Sequence, residues 1–108
     1  MAEAKALKEK GTEFFKQQKF DSAQENYQES LNEASKVKEM TQEVKDFIKT
    51  LHLNISVVAN KPPHQNQVVI ANCNKALEFD PKNTKALFLR AQTYARCQRY
   101  EDATSDLV

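Results

Sequence analysis

The chain contains an internal repeat, and this repeat constrains the fold more than any other feature of the sequence. The segment 11–27 recurs eighty residues later as 91–107. Small residues, aromatic residues and a polar turn fall at matching positions: Gly11 and Ala91, Phe14 and Tyr94, Gln18 and Gln98, Phe20 and Tyr100, Ala23 and Ala103. Each copy predicts two short helices joined by a tight turn, with small residues where the helices touch. Such a repeat is typical of an array of stacked helix pairs.

Apolar residues at helical spacing predict six helices in three antiparallel pairs. The predicted ranges are 4–17, 21–36, 37–61, 65–79, 84–97 and 101–108. Pro62 and Pro63 end the third helix, because proline cannot continue a helix interior. Gly11 lies inside the first helix, where glycine costs about 1 kcal/mol relative to alanine. We therefore expect another helix to cross at Gly11 and to leave no room for a β-carbon.

Three helix starts have candidate caps. Asp21, followed three residues later by Gln24, has the spacing of a capping box for the second helix. Thr41 is a candidate N-cap if the third helical segment breaks near residue 40, although no capping box supports it. Either Asn83 or Thr84 can cap the fifth helix.

The composition excludes several classes of function. With 108 residues the chain forms one domain, and its net charge of +1 gives no overall attraction to nucleic acid or to a membrane. No run of about 18 apolar residues predicts a spanning helix, and the N-terminal residues lack the apolar core of a signal peptide. Cys73 and Cys97 have no metal-ligand or CxxC spacing. We expect both to be reduced, buried or half-buried thiols of a cytosolic protein.

Nothing in the sequence indicates an enzyme. A single glycine excludes glycine-rich phosphate loops, and no nucleophile, metal-ligand set or cofactor loop is recognisable. His52 and His64 have no serine, cysteine or carboxylate partner at a catalytic spacing, so we interpret them as helix or turn residues. Six aromatic residues are interpreted as core: Phe14, Phe15, Phe20, Tyr27, Tyr94 and Tyr100. The sequence thus predicts no catalytic residue, no metal and no cofactor.

The repeated residues resemble those of the tetratricopeptide family, in which a repeat of 34 residues forms one helix pair. The resemblance rests on small, aromatic and proline positions: Leu7, Gly11, Phe14, Phe20, Ala23 and Tyr27 in the first repeat, Ser56, Ala76 and Pro81 in the second, and Ala91, Tyr94, Tyr100, Ala103 and Leu107 in the third. Val69 departs from the pattern, which usually has alanine there. The resemblance implies an all-α superhelix in one domain, 1–108, with repeats at about 4–37, 49–83 and 84–108 and a helical extension at 38–48.

Two further stretches, LHLN and NCNKALEFDPKNTKALF, resemble the tetratricopeptide domains of large immunophilin co-chaperones of the FK506-binding-protein type. In that family a prolyl isomerase domain lies upstream, and an extra helix covers the last repeat. This sequence has neither, so the resemblance implies a fragment of a longer protein. An uncovered last repeat would expose Leu107 and Val108, through which the chain could self-associate.

The chaperone-binding members of that family hold the acidic C-terminal tail of heat-shock protein 90 or 70 in a carboxylate clamp. Several converging donors suit such a tail, because charge-assisted hydrogen bonds are the strong ones. By position, the resemblance places the clamp at Lys8, Thr12, Asn54, Lys85 and Leu89. Lys8, Asn54 and Lys85 match the family pattern. Thr12 replaces an asparagine but keeps a hydroxyl donor, whereas Leu89 replaces an arginine and cannot donate.

The missing arginine leaves two functions open. A hydrogen bond to a charged group contributes roughly 1.5–3 kcal/mol, so its loss could weaken tail binding about ten- to hundredfold. Arg90 should not replace it, because a helix turns about 100° per residue. The chain is then a co-chaperone adaptor with an imperfect clamp, or a scaffold for a different peptide or protein partner. Lys8 and Lys85 could also simply lie on solvated helix faces. For either function we expect a cytoplasmic location, with the nucleus as an alternative.

Overall fold

The computed structural model describes residues 1–97, and the regular structure in this range is entirely α-helical. Five helices follow one another: α1 (Ala2–Lys16), α2 (Phe20–Ala34), α3 (Gln42–Ala59), α4 (Asn66–Phe79) and α5 (Thr84–Arg96). The predicted all-α class is confirmed. The predicted sixth helix and the apolar end at Leu107 and Val108 lie outside the described residues. Within residues 1–97, none of the helices combines the length and the apolar character needed to cross a membrane.

Helices α1 and α2 form an antiparallel pair that packs tightly at Gly11. Ser30 Oγ donates to the Ala4 carbonyl near one end of the pair, and the rings of Phe15 and Phe20 lie 5.5 Å apart at the other. A β-carbon on Gly11 would lie only 2.7 Å from the Tyr27 ring. The predicted crossing at Gly11 is therefore confirmed, and Tyr27 of α2 occupies the space.

Helices α3 and α4 form the second antiparallel pair. Ser56 Oγ, in the last turn of α3, accepts a hydrogen bond from Cys73 Sγ of α4 at 3.6 Å, and the Gln65 N–H donates to the Ala59 carbonyl at the end of the pair. Cys73 is buried and Cys97 is half-buried, as predicted, and neither is in a disulfide.

The first helices of the first two pairs, α1 and α3, run side by side in the same direction. Lys5 Nζ lies 3.7 Å from a carboxylate oxygen of Glu43, and one turn further along both helices Lys8 Nζ lies 5.6 Å from the centre of the Phe47 ring. Contacts that advance together along two helices require a parallel arrangement.

Helices α3 and α5 are related in the same way. Lys49 Nζ lies 3.9 Å from Asp80, shortly before α5 begins, and the Asn60 amide at the end of α3 donates to Gln92 near the end of α5 at 3.5 Å. The helices α1, α3 and α5 therefore form one wall of the molecule, with α2 and α4 packed behind it.

The apolar core lies between these two layers. Leu51, Ile55 and Val58 of α3 are almost completely buried and pack with Ala23 and Tyr27 of α2. A second cluster joins α3, α4 and α5 and contains Ala59, Val69, Cys73, Ala76, Ala86 and Leu89. The predicted core role of the aromatic residues is confirmed for Tyr27 and Tyr94, which are buried, whereas Tyr100 lies outside the described residues.

The structure corrects the third predicted helix and one predicted cap. The chain leaves α2 at Ala34 and is not helical again until Gln42, so the helix predicted from residue 37 is wrong over its first five residues. Thr41 does cap α3, because its Oγ1 accepts from the Val44 N–H at 3.3 Å. Asp21 does not cap α2, which begins at Phe20 without a side-chain cap.

Two other residues of the predicted caps, Asn83 and Gln24, have clear hydrogen-bond partners. Asn83 caps α5, with its Oδ1 accepting from the Ala86 N–H at 2.9 Å. Gln24, the predicted partner in the Asp21 capping box, instead exchanges amide hydrogen bonds with Gln65 at 2.9 and 3.3 Å. This pair of hydrogen bonds ties α2 to the residue before α4.

Candidate functional site

A groove of about 1280 Å³ runs along the exposed side of α1. Its lining includes Lys5, Lys8 and Thr12 of α1, Asn26 of α2 and Phe47 of α3. Two of the five predicted clamp residues, Lys8 and Thr12, thus line the groove directly. Asn54, Lys85 and Leu89 are not part of this lining and lie further along the same three-helix wall.

Lys8 is half-buried and rests on an aromatic ring. Its Nζ lies 5.6 Å from the centre of the Phe47 ring, within the range of a cation–π contact. Within residues 1–97, no carboxylate lies within ion-pair distance of Lys8, whereas its neighbour Lys5 pairs with Glu43. The Lys8 ammonium group is therefore held in place and is still available to an anionic ligand.

The Thr12 hydroxyl is already used inside the protein. Its Oγ1 donates to the Lys8 carbonyl at 3.1 Å and lies 2.9 Å from the Tyr27 hydroxyl. A hydroxyl has a single proton, so Tyr27 is the donor in the second contact. Thr12 therefore has no spare proton for a ligand, although the sequence suggested a donor at this position.

Asn54 lies on the side of α3 that faces the groove. It follows Phe47 by seven residues, which is almost two full turns, so both side chains leave the helix in nearly the same direction. The Asn54 side chain is half-buried, and it has no hydrogen-bond partner in the part of the chain that the structure describes. Its amide can therefore donate to a ligand.

Lys85 lies in the first turn of α5 and is exposed. Gln92, seven residues further along α5, contacts Asn60 of α3, so this side of α5 is turned toward α3. Lys85 has no ion pair with any residue of 1–97. Lys8, Asn54 and Lys85 thus occupy the same side of three neighbouring helices.

Leu89 and Arg90 do not contribute a charge to this wall. Leu89 is only 9% exposed and belongs to the apolar cluster with Val69 and Cys73. The Arg90 guanidinium donates to Asn74 of α4 and lies 5.9 Å from the centre of the Tyr94 ring. Arg90 therefore points away from the groove, as its position in the helix predicted.

Comparisons with known proteins agree with this architecture. The family model described as tetratricopeptide repeat matches residues 72–104. The solved C-terminal TPR-containing domain of a Plasmodium falciparum FK506-binding protein superimposes with a TM-score of 0.84, at 28% identity, over 98% of this chain and 73% of that chain. The chain is a tetratricopeptide repeat domain.

Relatives of this tetratricopeptide repeat (TPR) domain include immunophilins. FK506-binding protein 59 of Drosophila melanogaster is 33% identical over 106 residues, which are 98% of this chain and 24% of the relative. Human peptidyl-prolyl cis-trans isomerase FKBP4 is 32% identical over 104 residues, which are 93% of this chain and 22% of the relative. The chain therefore spans about a quarter or less of the curated relatives it matches. The predicted resemblance to the FK506-binding-protein type is confirmed.

A second solved structure of the same fold contains a ligand. The first TPR domain of Spaghetti (RPAP3), bound to the HSP90 peptide SRMEEVD, has a TM-score of 0.76 and 26% identity, over 97% of this chain and 74% of that chain. The TPR fold is one for protein–protein interaction rather than catalysis. In the described part of this TPR domain, no group of three His, Cys, Asp or Glu residues could hold a metal ion.

His52 and Phe47 of this TPR domain have contacts that sequence reasoning did not predict. His52 is buried, and its Nδ1 lies 2.8 Å from Asn72 Oδ1, while the Asn72 amide nitrogen donates to the Val68 carbonyl. Burial lowers the pKa of His52. The surrounding sequence LHLN did not predict the burial of His52 or its contact with Asn72. Phe47 is assigned to the groove by its contact with Lys8.

Proposed function

We propose that this TPR domain binds the acidic C-terminal tail of a heat-shock protein 90 or 70 chaperone through an incomplete carboxylate clamp. One observation carries the proposal: Lys8, Asn54 and Lys85 lie on the same side of three neighbouring helices and have no ionic or hydrogen-bond partner for their side-chain nitrogens within residues 1–97. Two ammonium groups and one amide suit a chain end with several carboxylates. The HSP90 peptide bound by the Spaghetti TPR domain supports the same ligand class.

The proposed clamp is weaker than a complete one. Leu89 offers no donor, and the hydroxyl proton of Thr12 is used within the protein. Each missing hydrogen bond to a charged group removes roughly 1.5–3 kcal/mol. With a net charge of +1, the protein as a whole adds little long-range attraction. The remaining affinity therefore depends on Lys8, Asn54 and Lys85.

Calorimetric titration with the peptide SRMEEVD tests the proposal. We expect measurable binding that weakens about tenfold or more in Lys8→Ala and in Lys85→Ala, because each variant removes a charged donor. Lys45→Ala is the matched control, since Lys45 is an exposed lysine of α3 about 200° around the helix from Phe47. No heat at high micromolar peptide, or equal affinity of Lys8→Ala and the unchanged protein, would remove the proposal.

A scaffold for a different partner is the second candidate function. It is favoured by the buried Leu89, which replaces a charged clamp residue with part of the apolar core. Leu89→Arg separates the two candidates in the same titration. If SRMEEVD binds only to this variant, the natural partner is something other than an acidic chaperone tail.

Other properties of the whole protein are also proposals. Relatives such as human FKBP4 are named peptidyl-prolyl cis-trans isomerases, and we propose that any such activity resides outside this TPR domain. We also propose a cytoplasmic or nuclear location, because the thiols of Cys73 and Cys97 suit a reducing compartment. Activity assays of the isolated domain and fluorescence microscopy of the tagged protein test these two points.

A further inference from the structure

Serine and threonine occur in only one of the connections between the five described helices, the segment 35–41. The other connections within residues 1–97 contain no hydroxyl side chain: 17–19, 60–65 and 80–83. Ser35 and Thr41 lie at the two ends of the segment 35–41, and both are exposed. An exposed hydroxyl in such a connection is accessible to a modifying enzyme, because connections lie on the surface and adapt more easily than helices.

The charges beside Ser35 and Thr41 differ in sign. Two exposed lysines, Lys36 and Lys38, follow Ser35, whereas the charged residues within two positions of Thr41 are both glutamates. Lysines form charge-assisted hydrogen bonds with a phosphate group, and neighbouring carboxylates repel it. Of these two hydroxyls, Ser35 therefore has the sequence environment that suits transfer of a phosphoryl group.

The unmodified Ser35 side chain completes the last turn of α2. Its Oγ donates to the Leu31 carbonyl at 2.8 Å, and the adjacent Lys36 Nζ lies 2.9 Å from Glu33 Oε1. A phosphate ester has no proton on Oγ, and it places nearly two negative charges at the helix end where the dipole is also negative. The phosphate also competes with Glu33 for Lys36. Phosphorylation of Ser35 should therefore loosen the last turn of α2.

This last turn packs beside the ring that holds Lys8. Ala34, next to Ser35 in sequence, is completely buried in an apolar cluster that includes Val44 and Ile48 of α3, and Phe47 packs against the same cluster. The Phe47 ring lies beneath the Lys8 ammonium group in the groove. A looser turn at Ala34 therefore disturbs the packing that positions Lys8.

We propose that Ser35 is the target of a serine/threonine protein kinase that recognises lysines after the target residue, and that its phosphorylation weakens tail binding. Ser35 Oγ attacks the γ-phosphorus of ATP. The new O–P bond replaces the bond to the leaving group ADP, and the hydroxyl proton passes to a base of the kinase. The regulatory part of the proposal rests on the proposed function, because it acts on the groove that holds the acidic tail.

The first experiment tests the modification site. The unmodified domain is incubated with Mg-ATP and the catalytic domain of protein kinase C, used as a probe directed to serines beside basic residues. Mass spectrometry then locates the phosphate, which we expect on Ser35 and not in Ser35→Ala. Replacing Lys36 and Lys38 together by alanine should slow the reaction about tenfold. No labelling, or labelling only at other residues, would overturn the site.

The second experiment measures the consequence with phosphoserine incorporated at position 35 during synthesis. We expect this domain to melt about 5 °C lower and to bind SRMEEVD about fivefold more weakly, because the helix end is destabilised. Ser35→Ala loses the hydrogen bond to Leu31 but adds no charge, so its affinity should change by less than about twofold. Thr41→phosphoserine is the matched control. It adds the same charge at the start of α3, where the helix dipole favours an anion, and should not lower the melting temperature.

The outcomes separate this inference from the proposed function. Equal affinity of the phosphorylated and unmodified domains for SRMEEVD would overturn the regulatory role and leave the proposed function standing. An equal loss of affinity with phosphoserine at either position, 35 or 41, would overturn the role of the helix end, since added charge alone would explain it. If the unmodified domain does not bind SRMEEVD, the proposed function and the regulatory role are both wrong, whereas the kinase reaction still decides whether Ser35 is a modification site.

Discussion

Lys8 depends on the ring beneath it for its position in the groove. A lysine side chain has considerable rotational freedom, which a ligand must otherwise restrict when it binds. The Phe47 ring, 5.6 Å from Lys8 Nζ, restricts the ammonium group before the ligand arrives. Phe47 thus contributes both to the core, where it packs against α1 and α2, and to the proposed binding surface.

We predict that Phe47→Leu weakens binding of SRMEEVD about two- to fivefold. Leucine keeps an apolar side chain at this position but has no π face, and a cation–π contact at an accessible site contributes about 0.5–1 kcal/mol. Phe47→Tyr should bind like the unchanged protein, and thermal melts should confirm that both variants are folded. Equal affinity of the leucine and tyrosine variants would show that the ring face has no role in holding Lys8.

His52 gives the stability of the domain a pH dependence with a definite sign. Burial is the main reason that the pKa of His52 is lowered; the hydrogen bond that His52 donates to Asn72 and the charge of Glu78 oppose the shift, and the charge of Lys75 adds to it. The unfolded chain therefore binds a proton at a higher pH than the folded one. Stability should be constant well above the unfolded pKa of about 6.5 and should fall as the pH decreases from there to the folded pKa.

Urea unfolding at pH 8, 6.5 and 5 measures this dependence. His52→Gln should flatten the decrease below pH 6.5, because the neutral amide takes up no proton. His64→Gln, in the exposed connection between α3 and α4, is the control. A decrease that is unchanged in His52→Gln would assign the pH dependence to other groups.

At the scale of helices, α3 is the element that the others share. It pairs with α4, packs against α2, and contacts α1 and α5 on the groove side. It is also the longest helix, at 18 residues. The N-terminal half of α3 places Phe47 against Lys8, and its C-terminal half contains Asn54. A change at either end of α3 therefore acts on the core and the groove together.

The close crossing of α1 and α2 leads to a prediction about Gly11. Alanine has the higher helix propensity, by about 1 kcal/mol, so Gly11→Ala would stabilise an isolated helix. In the domain its β-carbon would meet the buried Tyr27 ring at 2.7 Å, and overpacking costs about 1–3 kcal/mol. After subtraction of the propensity gain of about 1 kcal/mol, we expect a net loss of up to about 2 kcal/mol in urea unfolding. Ala71→Gly, on the exposed side of α4, calibrates the propensity term, and a more stable Gly11→Ala protein would contradict the prediction.

The sequence predicted helix positions correctly where apolar periodicity and proline positions agreed. The predictions were wrong where packing between helices determined where a helix begins. Apolar periodicity predicted all five described helices. It did not predict that residues 37–41 are non-helical or that Asp21 is not a cap. Helix α2 begins one residue before Asp21, at Phe20, whose ring packs against Phe15 of α1. A contact between two helices thus outweighed a local capping preference.

The same distinction applies to the groove. The side of the helix on which Lys8, Asn54 and Lys85 lie could be predicted from the repeat positions, because a position in a repeat determines the direction in which a side chain leaves its helix. The hydrogen bonding of Thr12 could not be predicted, since its hydroxyl oxygen contacts Tyr27 of another helix while its proton is donated to the Lys8 carbonyl. The burial of Leu89 also depends on residues of α3 and α4 that are distant in sequence.

At the scale of the whole molecule, Arg96 joins α5 to the rest of the domain. Its guanidinium donates to Asn60 at 2.7 Å and to Asn66 at 2.8 Å, and thus reaches the end of α3 and the start of α4. Such a fork is specific to arginine, because lysine cannot form two planar hydrogen bonds at once. In repeat proteins, stability depends on contacts of this kind between neighbouring units.

We predict that Arg96→Lys lowers the free energy of unfolding by about 1.5–3 kcal/mol, because it loses at least one hydrogen bond of a charged donor. Amide hydrogen exchange should speed up in α5 more than in α1. Gln92→Ala is the control, since the bond between Gln92 and Asn60 is long, at 3.5 Å. Uniform acceleration over all helices would instead indicate that α5 unfolds only together with the other helices.

The side-by-side arrangement of α1, α3 and α5 has a consequence for how recognition is lost. The three nitrogen donors belong to three different helices, α1, α3 and α5, so neither of the two described helix pairs can hold a tail by itself. A small separation between neighbouring pairs would spread the donors apart while every helix kept its hydrogen bonds. Peptide affinity should therefore disappear at a lower urea concentration than helical circular dichroism, which would make tail binding a sensitive gauge of the stacking itself.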